Sequence, residues 1–493
     1  MAITFSEVPT NAAASAVFVE QEPVNRVGGS PVIEHKLLLV GQYNSGSSPT
    51  DNVPQLLLNE ADAWDRYGRG SQLAIMYQAA FAATRGAVPI YALPLADESG
   101  AASATGTLEI TGTATEAGTL AVYVNGKKLS VGVASGDTAD DVGDAVETAI
   151  NSDLDLPVTA SNTTGTVTLT VRWGGESGNQ NTLEINRADT DETPADLTVT
   201  VTDIGDEDAG TTDPDASTAL GNLGDTWYTE IVYPYTGDTE IGYLESAGDT
   251  RADAGVKRMF AGFIGYNGTN ADLITALDDR NSQWTTFVPV HESPTPGYYI
   301  GAAAAGVYAR VQQSNPGRPA KNQVIPGVVA GDSNDLTYSE QDTTIKAGGS
   351  TTRNLSDDRV TIIDLVTTRT TTDAGADTDD WRFTVIIGNL QFKLYALEQT
   401  FLASPFDQGV VLTDDDVGGP SFGIRPSTVK AFAIGLVDDW IARGLSTSRD
   451  SIVSGITASI DSSNPGRINL LVPDIASAGL RIVAVKLEWS FVS

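Results

Sequence analysis

Two histidines, His35 and His291, are the only imidazoles among the 493 residues, and there is no cysteine. Those facts bound the chemistry. Disulfides, thiolate metal sites and cysteine nucleophiles are excluded, and any Ser-His-Asp triad would have to use His35 or His291. His35 opens the apolar run His35-Lys-Leu-Leu-Leu-Val-Gly41, which reads as a buried strand, so a structural role is expected for it. His291 is followed by Glu292, but no second histidine lies one helical turn on, so the H-E-x-x-H zinc pattern is missing. Gly126-Lys127-Lys128 lacks the first glycine and the hydroxyl of a phosphate loop, and no G-x-S-x-G elbow occurs. The acidic clusters at Asp414-Asp415-Asp416, Asp377–Asp380 and Asp137 with Asp140-Asp141 could attract cations. None has the glycine at position 6 and glutamate at position 12 of a calcium loop, so they read as solvated surface. Trp64, Tyr67, Trp284, Tyr298 and Tyr299 read as packing residues. The expectation is therefore no catalytic residue, no metal and no cofactor.

What the charge does say concerns partners and solvent. The formal net charge is −35, from 44 Asp and 20 Glu against 9 Lys and 20 Arg. Phosphate contacts need clustered cations, so nucleic acid is not an expected partner. Copies of such a chain repel one another in dilute salt. At roughly 1 M salt the Debye length falls to about 3 Å and most of that repulsion is screened, which points to a very salty working environment. No run of 18 apolar residues exists, so no membrane insertion is expected. The start, Met1-Ala-Ile-Thr-Phe-Ser-Glu7, lacks the basic and apolar regions of a signal peptide.

The elements fall into blocks. Residues 1–30 read as an extended arm, broken by Pro9 and Pro23 and carrying one strand-like run, Val17-Phe18-Val19-Glu20. Residues 31–97 and 205–330 read as an α/β core, with strand, helix and strand at His35–Gly41, Ser71–Arg85 and Val88–Pro94 in the order of a parallel crossover. The Gly301-Ala-Ala-Ala-Ala-Gly306 stretch of a helix from Tyr298 to Gln313 allows close packing. Residues 98–204, rich in Thr, Val and Gly, read as an inserted, mostly β outer domain. Asn125-Gly126 marks a hairpin, and one amphipathic helix there is capped by Asp137 or Thr138. Residues 331–479 read as an α+β C-terminal region, with a strand-like run at Trp381–Ile387, helices at Leu390–Leu402 and Ser427–Arg443, the latter capped by Ser427 or Thr428, and strands at Ile456–Ile460 and Arg467–Val472. Residues 480–493 form a C-terminal strand arm. Its first half, through Val483 and Val485, is apolar on both faces and is expected to anchor in its own domain. Beyond it Leu487, Trp489 and Phe491 face one way while Lys486, Glu488 and Ser490 face the other, a pattern that invites pairing with another chain.

Four stretches, in order, resemble the contractile-tail sheath proteins of tailed viruses, of the Mu-like type. They are Ile3-Thr-Phe-Ser-Glu-Val-Pro9 with Val17–Glu20; Ala117–Gly126, Gly136-Asp-Thr-Ala139 and Val171–Asn179; Arg280-Asn281, Ser293-Pro-Thr-Pro296 and Asn315–Pro319; and Asn464–Pro473 with the closing strand. The span Asp332–Asp358 departs from that pattern, and Asn315 stands where an acidic residue is common. The resemblance implies a non-catalytic, subtilisin-like core and a structural polymer. Subunits would form hexameric rings stacked around a tail tube protein, bounded by baseplate and by tail terminator or neck proteins, with terminal arms completing neighbours' sheets. Contraction would drive the tube through the host envelope without nucleotide hydrolysis. It also implies assembly in the host cytoplasm and residence in the virion tail. The acidity adds the expectation of a halophilic host. Two other readings are the sheath of a phage-tail-like contractile particle and a secreted surface-layer or adhesin-type β protein, the latter suggested by the Thr-rich insert.

Overall fold

The computed structural model describes residues 30–416 and 418–489. Val17, Phe18, Val19 and Glu20 of the N-terminal arm, and Phe491, lie outside the described residues. The chain divides into two compact units. Of the described residues, the larger holds Val32–Tyr395, Arg443–Leu445 and Ala476–Trp489; the smaller holds Ser30–Pro31, Ala396–Ala442 and Ser446–Ile475.

The larger unit is built on a six-stranded sheet in the order Thr285–Pro289, Ala261–Tyr266, Glu230–Val232, Leu37–Gln42, Ile90–Leu95, Gln55–Leu57. All neighbours pair in parallel except the edge strand Gln55–Leu57. Parallel strands need both faces covered, and the continuous burial of Leu37–Val40 and Ile231–Tyr233 reflects that. The crossover expected for 31–97 runs through helix Gln72–Thr84, whose first turn is capped by the Ser71 side chain. Helix Glu60–Tyr67 and the edge strand had no clear sequence signal, because each is too short to show a period.

Helix Gly297–Ser314 lies against both the sheet and helix Gln72–Thr84, which explains its small residues. A Cβ on Gly265 would sit 2.0 Å from the Gly297 carbonyl oxygen, and one on Gly306 would sit 2.7 Å from the Ala83 Cβ.

The Thr-rich segment forms two antiparallel sheets, one of Leu197–Thr202, Thr105–Gly112, Thr166–Val171 and Val158–Thr163, the other of Lys127–Val133, Gly118–Val124 and Leu183–Ile185. Helix Ala139–Ser152 packs among them. Its cap is Thr138 rather than Asp137, in a capping box closed by Asp141.

Three expectations need correction. Trp381–Ile387 is not a strand: helix Thr384–Leu402 begins inside it, because Thr384, Ile387 and Gln391 are buried at helical spacing. The helix expected from Ser427 is Pro426–Ala442, with proline at its first position, so neither Ser427 nor Thr428 is the cap. Leu480–Val485 is not buried in its own unit. Leu480, Ile482, Val483 and Val485 are 69–82% exposed, since no element among the described residues covers either face.

In the smaller unit, Phe401, Phe406 and Phe432 stack edge to face with centroids 4.9 and 4.8 Å apart. Helix Pro426–Ala442 supports the hairpin Thr457–Ile460/Ile468–Leu471.

Candidate assembly surface

In an open parallel sheet, ligands bind outside the carboxyl ends of the strands where strand order reverses. Here that point flanks Leu37–Gln42, and the insert fills it. Gln42, fully buried, donates from Nε2 to Asp97 Oδ1 (2.8 Å) and to the Gly174 carbonyl (2.5 Å). The Ser177 hydroxyl donates to Gln42 Oε1 (3.3 Å), and the Trp173 indole N–H donates to Ser177 (3.2 Å). Trp173 meets Tyr298 edge to face at 5.6 Å, and the Tyr298 hydroxyl donates to Asn181 Oδ1 (2.6 Å). Asp213 Oδ1 accepts the Ser177 backbone N–H (2.9 Å). Burial pushes its carboxyl up to about 6, against the pull of that bond. These contacts fasten the insert to the carboxyl end of the sheet.

The histidines are structural in setting. His35 lies before its strand, at the end of the sheet away from the crevice, where its Nδ1 is 2.7 Å from Glu230 Oε1 and both side chains are fully buried. The Thr229 hydroxyl donates to the other carboxylate oxygen (2.6 Å). His291 is buried with Nδ1 donating to the Gly268 carbonyl (3.1 Å), and desolvation pulls its pKa below the ordinary histidine value. Among the described residues no group of three or more His, Asp or Glu could hold a metal ion. Tyr67, Trp284 and Tyr298 are buried packing residues.

The surfaces that stand out are of another kind. Val483, Val485, Leu487 and Trp489 lie on one exposed segment, at 69%, 82%, 82% and 72% exposure. Residues 481–488 belong to no strand among those described. Lys486 and Glu488, on the opposite side of the alternation, form an ion pair. What holds the base of this segment is Arg481, which sequence reasoning passed over. It makes a two-pronged bridge to Asp364, both bonds 3.0 Å. Its only signal was a lone cation inside the apolar run Leu480–Val485.

In the smaller unit, the hairpin Thr457–Ile460/Ile468–Leu471 stands as a sheet of its own, two strands wide, with outer edges unpaired among the described residues. Its turn is fixed by Asp461, whose carboxylate accepts from the Ser463 hydroxyl (2.7 Å), Asn469 Nδ2 (3.0 Å), Ser463 N (2.9 Å) and Asn464 N (3.0 Å); these bonds, the Ser463 hydroxyl's foremost, hold its pKa well below the usual carboxylate range. Beside it lies a cavity of about 340 Å³, lined by Phe401, Phe406, Val411, Ile424, Ile468 and Leu470.

A parallel-sheet core with its crevice occupied by the insert, an exposed apolar tail and an open-edged hairpin are the surface features on the described residues. Over 492 residues the chain is 28% identical to the Mu-like prophage FluMu tail sheath protein of Haemophilus influenzae, a match covering 99% of this chain and all of that protein. The chain is thus a full-length homologue of a tail sheath protein. No family profile matches it. Among solved structures, its fold is similar to that of the sheath tail protein from Desulfitobacterium hafniense (11% identity, 94% of this chain and 97% of that one, TM-score 0.48). It is also similar to the sheath tail protein from Listeria innocua (12%, 91% and 96%, 0.47) and to the contracted helical sheath of the anti-feeding prophage (11%, 97% and 100%, 0.45).

Proposed function

We propose that this chain is the sheath subunit of a contractile viral tail, polymerising as stacked hexameric rings around a tail tube between baseplate and terminator or neck proteins. The observation that carries the reading is the exposed, alternating tail, Val483 to Trp489, in a full-length homologue of a tail sheath protein. In this reading residues 31–97 and 205–330 are the core, 98–204 the outer domain, 331–479 the C-terminal domain, and 1–30 and 480–493 the arms. The tail of one subunit adds as a strand to an open edge of the Thr457–Ile460/Ile468–Leu471 hairpin of another. A hairpin alone is marginal in water and gains from a third strand. The tail brings Leu487 and Trp489 within reach of the cavity beside that hairpin. Contraction then repacks the bodies while the arms keep them linked, and the energy is that of subunit contacts rather than of a bound nucleotide. Assembly in the host cytoplasm, residence in the virion tail and genome delivery belong to the same reading.

The charge of −35 supports a salt-rich setting, such as a halophilic host, because subunits of this charge come together only when screened. Negative-stain imaging and light scattering of the purified full chain test both points. Rings or tubes are expected, with assembly strengthening from low to molar salt. A monodisperse monomer at every salt concentration would overturn the function, and tubes forming equally well at low salt would overturn the screening argument.

A further inference from the structure

A donated strand transmits force only if its base is fixed to the body that donates it. Arg481 supplies such a fixed point at the base of the tail. Arg481 Nε and Nη2 donate to Asp364 Oδ1 and Oδ2, both at 3.0 Å, with the two side chains only 25% and 15% exposed. The guanidinium lies 4.0 Å from the centre of the Phe383 ring. The Arg481 carbonyl accepts from Lys321 Nζ at 2.9 Å, so main chain and side chain are both held. One residue further on, Ile482 is 72% exposed.

The partners share one element. Asp364 ends the strand Val360–Asp364, and Lys321 precedes the strand Val324–Ile325 paired to it; Thr351–Asn354 completes the three-stranded sheet. Phe383 is bridged to Val366, just past Asp364. A pull on the tail therefore reaches a sheet rather than a loop.

We infer that the Arg481–Asp364–Lys321 clasp is the pivot of the C-terminal arm. Residues through Arg481 stay with their own body and residues from Ile482 are donated, with Arg481 acting as a positioning residue for assembly. The inference rests on the proposed sheath function. A two-pronged, charge-assisted bridge resists competition by water, and its partial burial leaves it less screened by salt than surface pairs. The clasp thus persists in the high salt that lets acidic subunits approach.

The test compares four full-chain preparations in molar salt: wild type, a deletion of 482–493, Arg481→Gln, and the swapped pair Arg481→Asp with Asp364→Arg. Tube formation is scored by negative stain, and the fold of the unassembled subunits by circular dichroism. Loss of tubes in the deletion and in Arg481→Gln, with recovery in the swapped pair, is expected. If the deletion abolishes tubes while Arg481→Gln forms them at normal length, the pivot is wrong and the donated arm stands. If the deletion itself leaves tubes intact, the strand-donation reading falls and the pivot falls with it. Should Arg481→Gln fail to fold, the swapped pair decides: folded subunits without tubes would overturn the pivot.

Discussion

At the scale of single residues, the buried polar groups hold parts of the larger unit together and carry a pH signature. Asp213 accepts the Ser177 N–H at the carboxyl end of the sheet, and its carboxyl is raised from 3.8 to about 6 by burial. A raised acid is held more weakly as an anion in the folded chain than in the unfolded one. Its cost to stability is absent below about pH 4, grows to about pH 6 and is fully present above, reaching about 2–3 kcal/mol. His291, lowered by burial, contributes in the opposite sense, with stability lost as pH falls below its ordinary 6.5. Asp213→Asn keeps an acceptor for Ser177 and removes the buried charge. Denaturation at pH 7 should show it more stable than wild type by about 1–3 kcal/mol, with the downward slope between about pH 4 and 6 removed. Lower stability of Asp213→Asn at pH 7 would show that the ionised form is the favoured one.

At the scale of elements, close approach of backbone to backbone fixes helix Gly297–Ser314 on the sheet. In Gly265→Val the new Cβ would meet the Gly297 carbonyl oxygen at 2.0 Å, and no flexible side chain is available to yield. A loss of about 3 kcal/mol is expected from overpacking. Gly242, inside helix Asp238–Ala252, faces open space, so Gly242→Ala should instead add about 0.5–1 kcal/mol. Thermal unfolding of both variants checks the pair; equal, small effects would contradict the packing argument.

Much of this architecture was legible. The strand Leu37–Gln42, the helix over Gln72–Thr84 and the small-residue helix carry continuous burial or helical spacing that survives in the single sequence. The run Trp381–Ile387 misled because its apolar residues suit a strand as well as the first turns of a helix, and only packing at Thr384, Ile387 and Gln391 decides. Leu480–Val485 misled for a different reason. Apolar residues on both faces imply a covering surface, but periodicity does not say to which chain that surface belongs. The Arg481–Asp364 contact spans 117 residues, and no local pattern pairs two charges so far apart.

At the scale of the whole molecule, a sheet crevice occupied by the insert, a strongly acidic composition, a clasped but exposed tail and an open hairpin occur together in a full-length homologue of a tail sheath protein. In the proposed sheath, repulsion would keep subunits apart until salt screens it, and strand addition would then link them through backbone hydrogen bonds. The claim that binds these features is that the tail of one subunit completes the hairpin sheet of another. An image reconstruction of tubes grown from the full chain tests it most directly. The expected result is continuous density from Ile482 onward, lying as an added strand against Thr457–Ile460 or Ile468–Leu471 of a neighbouring subunit. Bare hairpin edges, with the tail folded back on its own body, would contradict it.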